Sequence, residues 1–293
     1  MNRQSKQAER AESFAPASFA YDDSNAITQS FMDDDNSFAV VFTGSDTHVG
    51  TRDYQEDALF VTEAATSQGN APIRAFGIVC DGMGGLENGD KASRLAADLM
   101  AGVFDSIRSE EGVEARLVEE VHNIDTRVRS ECRPESGGNT GTTLVAALIL
   151  GNRLHWVGVG DSRIYILRSG EIVQVTKDHT YMLELMKKAE EGLISPEEAE
   201  AHPQKGALIS FIGCGNIQHI NTNKAGLDLL HGDVVLLCSD GLTKSLPDQR
   251  IAEIVKTYYG DMKEAAQQLT LQSFDSSDGP KDNTSVVLMQ YLE

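Results

Sequence analysis

Hydrophobic positions first gather at Phe38-Ala-Val-Val-Phe42, a run that predicts a strand. Before it, residues 1 to about 36 are rich in Ser, Ala, Asp, Asn and Gln and show no sustained period. So polar a segment has little apolar surface to bury, and it is expected to be a disordered leader. Ile73 to Cys80 reads as a strand. Ala92, Leu95, Ala96, Leu99, Met100, Val103 and Phe104 then recur at helical spacing, as do Leu117, Val121, Ile124 and Val128, and each set predicts a helix. Thr143–Leu150 and Arg153–Val159 flank Gly151-Asn152, while Arg163–Leu167 and Glu171–Val175 flank Ser169-Gly170. Both pairs are expected to be hairpins closed by two-residue turns. From Thr180 to about Gln204 the pattern becomes charged and mostly helical, with Pro196 and His202-Pro203 interrupting it. Val234 to Cys238 reads as a buried strand, Ile251 to Leu271 as helix and Ser285 to Tyr291 as a closing strand. Hairpins grouped together, with helices on either side in sequence, imply an α+β fold in which helices pack on antiparallel sheet.

Composition narrows the function classes. The chain has 293 residues, 40% hydrophobic and 24% charged, which suits one large domain or two small ones. With 45 acidic against 25 basic residues it carries a net charge of −20. Nucleic acid and anionic lipid, whose phosphates need a basic footprint, are therefore not expected as partners. The longest apolar run, Leu144 to Leu150, falls far short of the roughly 20 residues that span a bilayer. No apolar stretch follows Arg3, Lys6 and Arg10 to make a signal peptide. Cys80, Cys132, Cys214 and Cys238 are scattered without C-x-x-C spacing and read as reduced thiols of a cytoplasmic protein. Six residues after them stand Leu86, Gly138, Ile220 and Lys244, which excludes the C-x₅-R chemistry of cysteine phosphatases. Walker and kinase signatures are absent, so phosphate donation from ATP is not expected.

The informative feature is where the carboxylates fall. Apolar runs lead into Asp81-Gly82, Asp161-Ser162 and Asp240-Gly241, and Lys281-Asp282-Asn283 immediately precedes the last strand. A further pair, Glu56-Asp57, precedes Ala58-Leu59-Phe60-Val61. Singly, an Asp-Gly pair is a common turn. Together, strand ends converge at one rim of a sheet, and carboxylates meeting there repel unless cations neutralise them. Oxygen ligands without His or Cys select hard ions, Mg²⁺ or Mn²⁺.

The ordered series Arg52-x-x-x-Glu56-Asp57, Asp81-Gly82-Met83-Gly84-Gly85, Gly141-Thr142-Thr143, Gly160-Asp161-Ser162-Arg163, Ser239-Asp240-Gly241-Leu242 and Asp282-Asn283 resembles that of the PPM family. These are the type 2C metal-dependent protein serine/threonine phosphatases, here in their bacterial form, and the resemblance covers about residues 38 to 291. It implies a four-layer α-β-β-α sandwich, two antiparallel sheets flanked by helix pairs, with the metal site at one edge. It implies a single catalytic domain over residues 37–293, with a flap at about residues 180–215. Carried over residue by residue, Asp81 bridges two ions and Gly82 lends its carbonyl, while Asp240 and Asp282 complete the first site. Glu56 and Asp57 hold the second ion directly or through water, Asp161 with Asp240 takes a third, and Arg52 grips the substrate phosphate. His202 and Pro203 belong to the flap and bear on substrate access. Thr142 and Thr143 are expected to support the site, and Gly84-Gly85 to let the backbone pass close to it.

What those parts supply is hydrolysis of phosphoserine and phosphothreonine. Two cations about 3.5–4 Å apart share a water and lower its pKa from about 15.7 towards 7, giving a bridging hydroxide for in-line attack. Arg52 suits the phosphate because its planar fork pairs with two oxygens, although an ion pair with Glu56 is the plainer reading. In animal relatives the position of Met83 is often His. A thioether donates no proton, so the acid is water, solvent or another side chain. His48 and the cysteines near the aspartates read as structural. The expected partners are phosphorylated proteins, substrates of a bacterial-type Ser/Thr kinase, met by a monomer. Hydrolysis of a small phosphorylated metabolite, or a non-catalytic phosphoprotein-binding role on the same fold, are the alternatives.

Overall fold

The computed structural model describes residues 38–67, 71–83, 88–133, 140–276 and 279–293. The expected leader and Gly84-Gly85 lie outside them. In chain order the first elements are β1 (Val40–His48), β2 (Asp57–Val61), β3 (Ala65–Thr66), β4 (Arg74–Met83), α1 (Gly89–Phe104) and α2 (Val113–Glu131). The middle holds β5 (Gly141–Thr142), β6 (Leu144–Leu150), β7 (Arg153–Val159), β8 (Arg163–Arg168), β9 (Glu171–Gln174), α3 (Tyr181–Glu190) and α4 (Pro196–Ala201). The last are β10 (Asn221–Thr222), β11 (Leu227–Asp228), β12 (Val234–Cys238), α5 (Asp240–Ser245), α6 (Asp248–Thr257), α7 (Met262–Asp275) and β13 (Thr284–Leu292).

Two antiparallel sheets result. One runs β3-β1-β13-β12-β8-β9; the other runs β10-β7-β6-β4-β2, with β11 beside β7 and β5 beside β4. The uninterrupted apolar runs are explained by burial on both faces. In β6, Leu144, Ala146 and Leu148 pack with α1 and α2, while Val145, Ala147 and Ile149 pack between the sheets. In β13, Val287, Met289 and Tyr291 join the core between the sheets, and Val286 and Leu288 pack with α5, α6 and α7. Period-two alternation thus divides each strand between two cores. The layers are helix, sheet, sheet, helix, as the resemblance implies.

Both hairpins pair as expected, Leu150 opposite Arg153 and Arg168 opposite Glu171. Other expectations change. The helical run from Ile251 to Leu271 is two helices, because the chain turns at Tyr258–Asp261 and Asp261 caps α7 by accepting from the Glu264 amide at 3.0 Å. The first strand runs on to His48, since β13 offers a partner to every residue from Val40 to His48. Asp81 does not terminate its strand: β4 continues to Met83 because β5 pairs with Gly82 and Met83. Among the described residues, no helix is long and apolar enough to cross a membrane.

Candidate metal centre

Strand pairing delivers the carboxylates to one region. Asp57 opens β2 and stands opposite Asp81 on β4. Asp240 follows β12, and Asp282 precedes β13, the neighbour of β12. Asp161 lies in the turn from β7 to β8, and Arg163, which opens β8, pairs with Cys238 at the end of β12. Two glycines allow the close approach. The Gly82 amide donates to the Glu56 carbonyl at 3.1 Å, and a Cβ on Gly82 would lie 2.5 Å from that oxygen. A Cβ on Gly241 would lie 2.1 Å from the Asn283 carbonyl oxygen. Backbone contact of this kind sets Asp81 beside Glu56, and Asp240 beside Asp282.

Neutral side chains hold these segments. Thr143 Oγ1 accepts from the Asp81 amide at 2.9 Å and pairs with Ser162 Oγ at 2.6 Å; Thr142 donates to the Asp81 carbonyl at 2.9 Å. Ser239 donates to Asp57 Oδ2 at 2.8 Å and accepts from the Ser285 amide at 2.9 Å. Asn283 latches the loop after β1: its Oδ1 accepts from the Glu56 amide at 2.8 Å, and its Nδ2 donates to the carbonyls of Val49 and Tyr54 at 2.8 and 3.1 Å. Arg52, on that loop, lies 3.0 Å from Asp282 Oδ1, so its salt-bridge partner is Asp282 rather than Glu56. His48 Nδ1 accepts from the Gly50 amide, and its ring sits 4.5 Å from that of Phe274.

The electrostatics are those of an acidic cluster short of positive charge. Burial pushes Asp81 well above the ordinary carboxylate range, and repulsion from Asp57, Asp240, Asp161 and Asp282 adds to it. Burial lifts Asp57 to about 7 although Ser239 and Ser285 hold it down, with Asp240 and Asp282 raising it further. Burial, Asp240 and Asp178 lift Asp161 to about 7. Asp240 and Glu56 are raised too, chiefly by burial, against the lowering pull of Lys244 and Arg52 respectively. Asp57 Oδ1 and Asp240 Oδ1 are buried without a hydrogen-bond partner. Mutual repulsion and orphaned carboxylate oxygens are what divalent cations relieve, and an all-oxygen set suits Mg²⁺ or Mn²⁺, so the residues fit the group. Among the described residues, however, no three acidic, His or Cys side chains are gathered tightly enough to hold an ion as they stand. Basic side chains hold two of the aspartates instead: Lys244 Nζ lies 2.5 Å from Asp240 Oδ2 and 3.4 Å from Asp282 Oδ2.

Beside the cluster opens a cavity of about 560 Å³ lined by Asp161, Asp240, Lys244, Lys177, Met182 and Lys205, among others. His202 and Pro203 are not part of its lining; the His202 ring sits 5.3 Å from that of Tyr181. Three further groups matter here that sequence pattern alone does not single out. Asn283 stands in the sequence merely as the neighbour of Asp282, and Arg163 as the end of a motif, yet Arg163 Nη2 grips Asp178 at 2.6 Å on the cavity wall. Lys244 follows Asp240 at i+4, a signal readable once a helix is expected there. Cys80 and Cys238 are free and buried, with burial pushing Cys80 well up and Cys238 to about 12, so they pack rather than react.

A family model described as protein phosphatase 2C matches residues 43–185. The serine/threonine phosphatase Stp of Listeria welshimeri is 32% identical over 217 residues, 73% of this chain and 83% of that protein. Protein phosphatase PhpP of Streptococcus pneumoniae is 34% identical over 226 residues, 76% of this chain and 89% of its own. Among solved structures, the catalytic domain of the serine/threonine protein phosphatase PstP, in complex with two manganese ions, superposes with a TM-score of 0.69 at 28% identity. It covers 87% of this chain and 100% of that one.

Proposed function

The chain belongs to the protein phosphatase 2C family, and from that premise we infer that its acidic cleft is the centre at which phosphoserine and phosphothreonine in proteins are hydrolysed. It is a metal-dependent protein serine/threonine phosphatase. The observation that carries the reading is the convergence of Asp57, Asp81, Asp161, Asp240 and Asp282 from separate elements, with Asp57 Oδ1 and Asp240 Oδ1 buried and unpartnered.

The roles follow from where each group stands. Asp81, the Gly82 carbonyl, Asp240 and Asp282 would hold the catalytic pair of Mn²⁺ or Mg²⁺ ions, Glu56 and Asp57 would complete the second site directly or through water, and Asp161 would join Asp240 at a third. When bound, the ions supply Lewis-acid polarisation of the phosphoryl oxygens and lower the pKa of water. Arg52 is 55% exposed, and a turn away from Asp282 lets its fork take two phosphate oxygens. Thr143, Ser162 and Ser239 keep the carboxylates oriented by hydrogen bonds. Met83 offers no proton, so the leaving alkoxide is protonated from another source.

The finer assignments are proposals of the same kind. Residues 37–293 act as one catalytic domain after a leader over 1–36, with residues 180–215, including His202 and Pro203, as a flap beside the cleft. Cys80, Cys132 and Cys238, free and buried, suit a cytoplasmic setting, and likeness to serine/threonine phosphatases supports a signalling role opposite a bacterial-type Ser/Thr kinase. A charge of −20 opposes self-association and supports a monomer. The test is hydrolysis of an aryl phosphate and of a phosphothreonine peptide with Mn²⁺, with Mg²⁺ and with EDTA. Turnover is expected with either ion and none in chelator; turnover that survives complete metal removal rejects the reading.

A further inference from the structure

Lys244 stands where no function was assigned to it. It lies one helical turn after Asp240 on α5, and an i,i+4 pair of this kind is ordinarily a surface contact worth little. Three observations set this one apart. First, its ammonium serves two carboxylates from different elements, Asp240 Oδ2 at 2.5 Å and Asp282 Oδ2 at 3.4 Å. Second, Asp240 is only 17% exposed, and its other oxygen is buried with no partner. Third, no three ligand-type side chains among the described residues gather closely enough to hold an ion, although Asp57, Asp81, Asp161, Asp240 and Asp282 lie close enough to repel one another. Arg52 takes the remaining reach of Asp282, at 3.0 Å from Oδ1 and 3.1 Å from Oδ2.

We propose that Lys244 is a tethered counter-ion of the metal centre, which pairs with Asp240 and Asp282 and competes with divalent cations for Asp240 Oδ2 and Asp282 Oδ2. The proposal rests on the reading of this cleft as the metal centre. A carboxylate oxygen that already pairs with an ammonium has less negative charge to offer a cation, and the two positive groups repel, so they compete for the same oxygens. The competitor is covalently attached and does not dilute away, which sets a threshold on the concentration of free ion at which the enzyme loads. Lys244 is 59% exposed and lines the 560 Å³ cavity, so the displaced side chain has open space to enter. In the metal-free state it lessens repulsion that otherwise opposes folding.

The experiment is calorimetric titration of Mn²⁺ into the metal-free full chain and its variants at fixed pH and ionic strength, paired with thermal melts in EDTA and in saturating Mn²⁺. Lys244→Met keeps the stem and removes the charge; Lys244→Arg keeps the charge. Lys244→Met is expected to bind Mn²⁺ about three- to fivefold more tightly than wild type, the upper end of what a solvent-reached ion pair is worth. It is also expected to melt lower than wild type in EDTA but level with it in Mn²⁺. Lys244→Arg should follow wild type in both. Equal or weaker Mn²⁺ binding by Lys244→Met overturns the proposal, whatever its melt in EDTA, and leaves the metal centre standing. A wild-type chain that takes up no Mn²⁺ in the calorimeter overturns the reading of the cleft itself.

Discussion

Asp81 is a residue whose value to activity and cost to folding have opposite signs. Its carboxylate is buried among four other aspartates, so ionisation destabilises the fold unless cations are present. Asp81→Asn is therefore expected to lower kcat by about a hundredfold or more in Mn²⁺. The same variant should melt higher than wild type in EDTA at pH 8, as differential scanning calorimetry would report. A variant that stays active, or one that unfolds, removes Asp81 from that role. Arg52 is the converse case, a cation with one carboxylate partner at the mouth of the cleft. Arg52→Lys should raise KM for a phosphothreonine peptide about tenfold, the loss of one charge-assisted hydrogen bond at roughly 1.4 kcal/mol, with a smaller change in kcat. Asp81, Asp161, Asp240 and Asp282 were legible because each follows or precedes an apolar run beside Gly, Ser or Asn. Which oxygens lack a partner was not, since that depends on Ser239 and Arg52 approaching from distant parts of the chain and on Lys244 lying on a helix too short to show a period.

Among the elements, the latch between the β1–β2 loop and the start of β13 matters most. Asn283 satisfies an amide and two carbonyls there, and no other residue type offers an acceptor and two donors in that compact shape. Asn283→Ala strands those backbone groups and is expected to cost about 2–3 kcal/mol, read as a lowered urea midpoint with unchanged m-value. Activity should fall with it even in saturating Mn²⁺, because the loop carries Arg52 and Glu56. The pattern revealed the long elements well, since β6 and β12 are apolar at every position and α1 keeps a helical stripe. It failed at α5, a helix of six residues with too few turns to show a period, and at the two-residue strands β3, β5, β10 and β11. Such short elements exist only because a neighbour supplies hydrogen bonds, as Thr142 and Ile212 do for each other.

For the molecule as a whole, the acidic centre couples folding to pH and to metal. Asp57 and Asp161 titrate near 7 in the folded chain, against about 3.9 when unfolded. Between those values the folded state holds protons that the unfolded state has released, so these two groups make the metal-free protein lose stability as pH rises from about 4 to about 7. Melting temperature in EDTA should fall across that window. With Mn²⁺ present the fall should shrink, because bound cations stabilise the ionised carboxylates and add stability by mass action. Equal slopes with and without Mn²⁺ would contradict a metal centre built on these groups.

Local chemistry written along the chain was enough to announce the layered α+β architecture, the hairpins and the candidate ligands. Alternation, helical spacing and turn residues act over a few neighbours and leave their mark in any short window. Folding settled the rest: the split of the Ile251–Leu271 run into two helices, the preference of Arg52 for Asp282, the Asn283 latch and the intrusion of Lys244 among the carboxylates. The Arg52–Asp282 pair, the Asn283 latch and the reach of Lys244 to Asp282 join groups 38 to 230 positions apart, which no short window of sequence contains together, while the helix split turns on one Asp261 cap inside a run whose spacing stays helical.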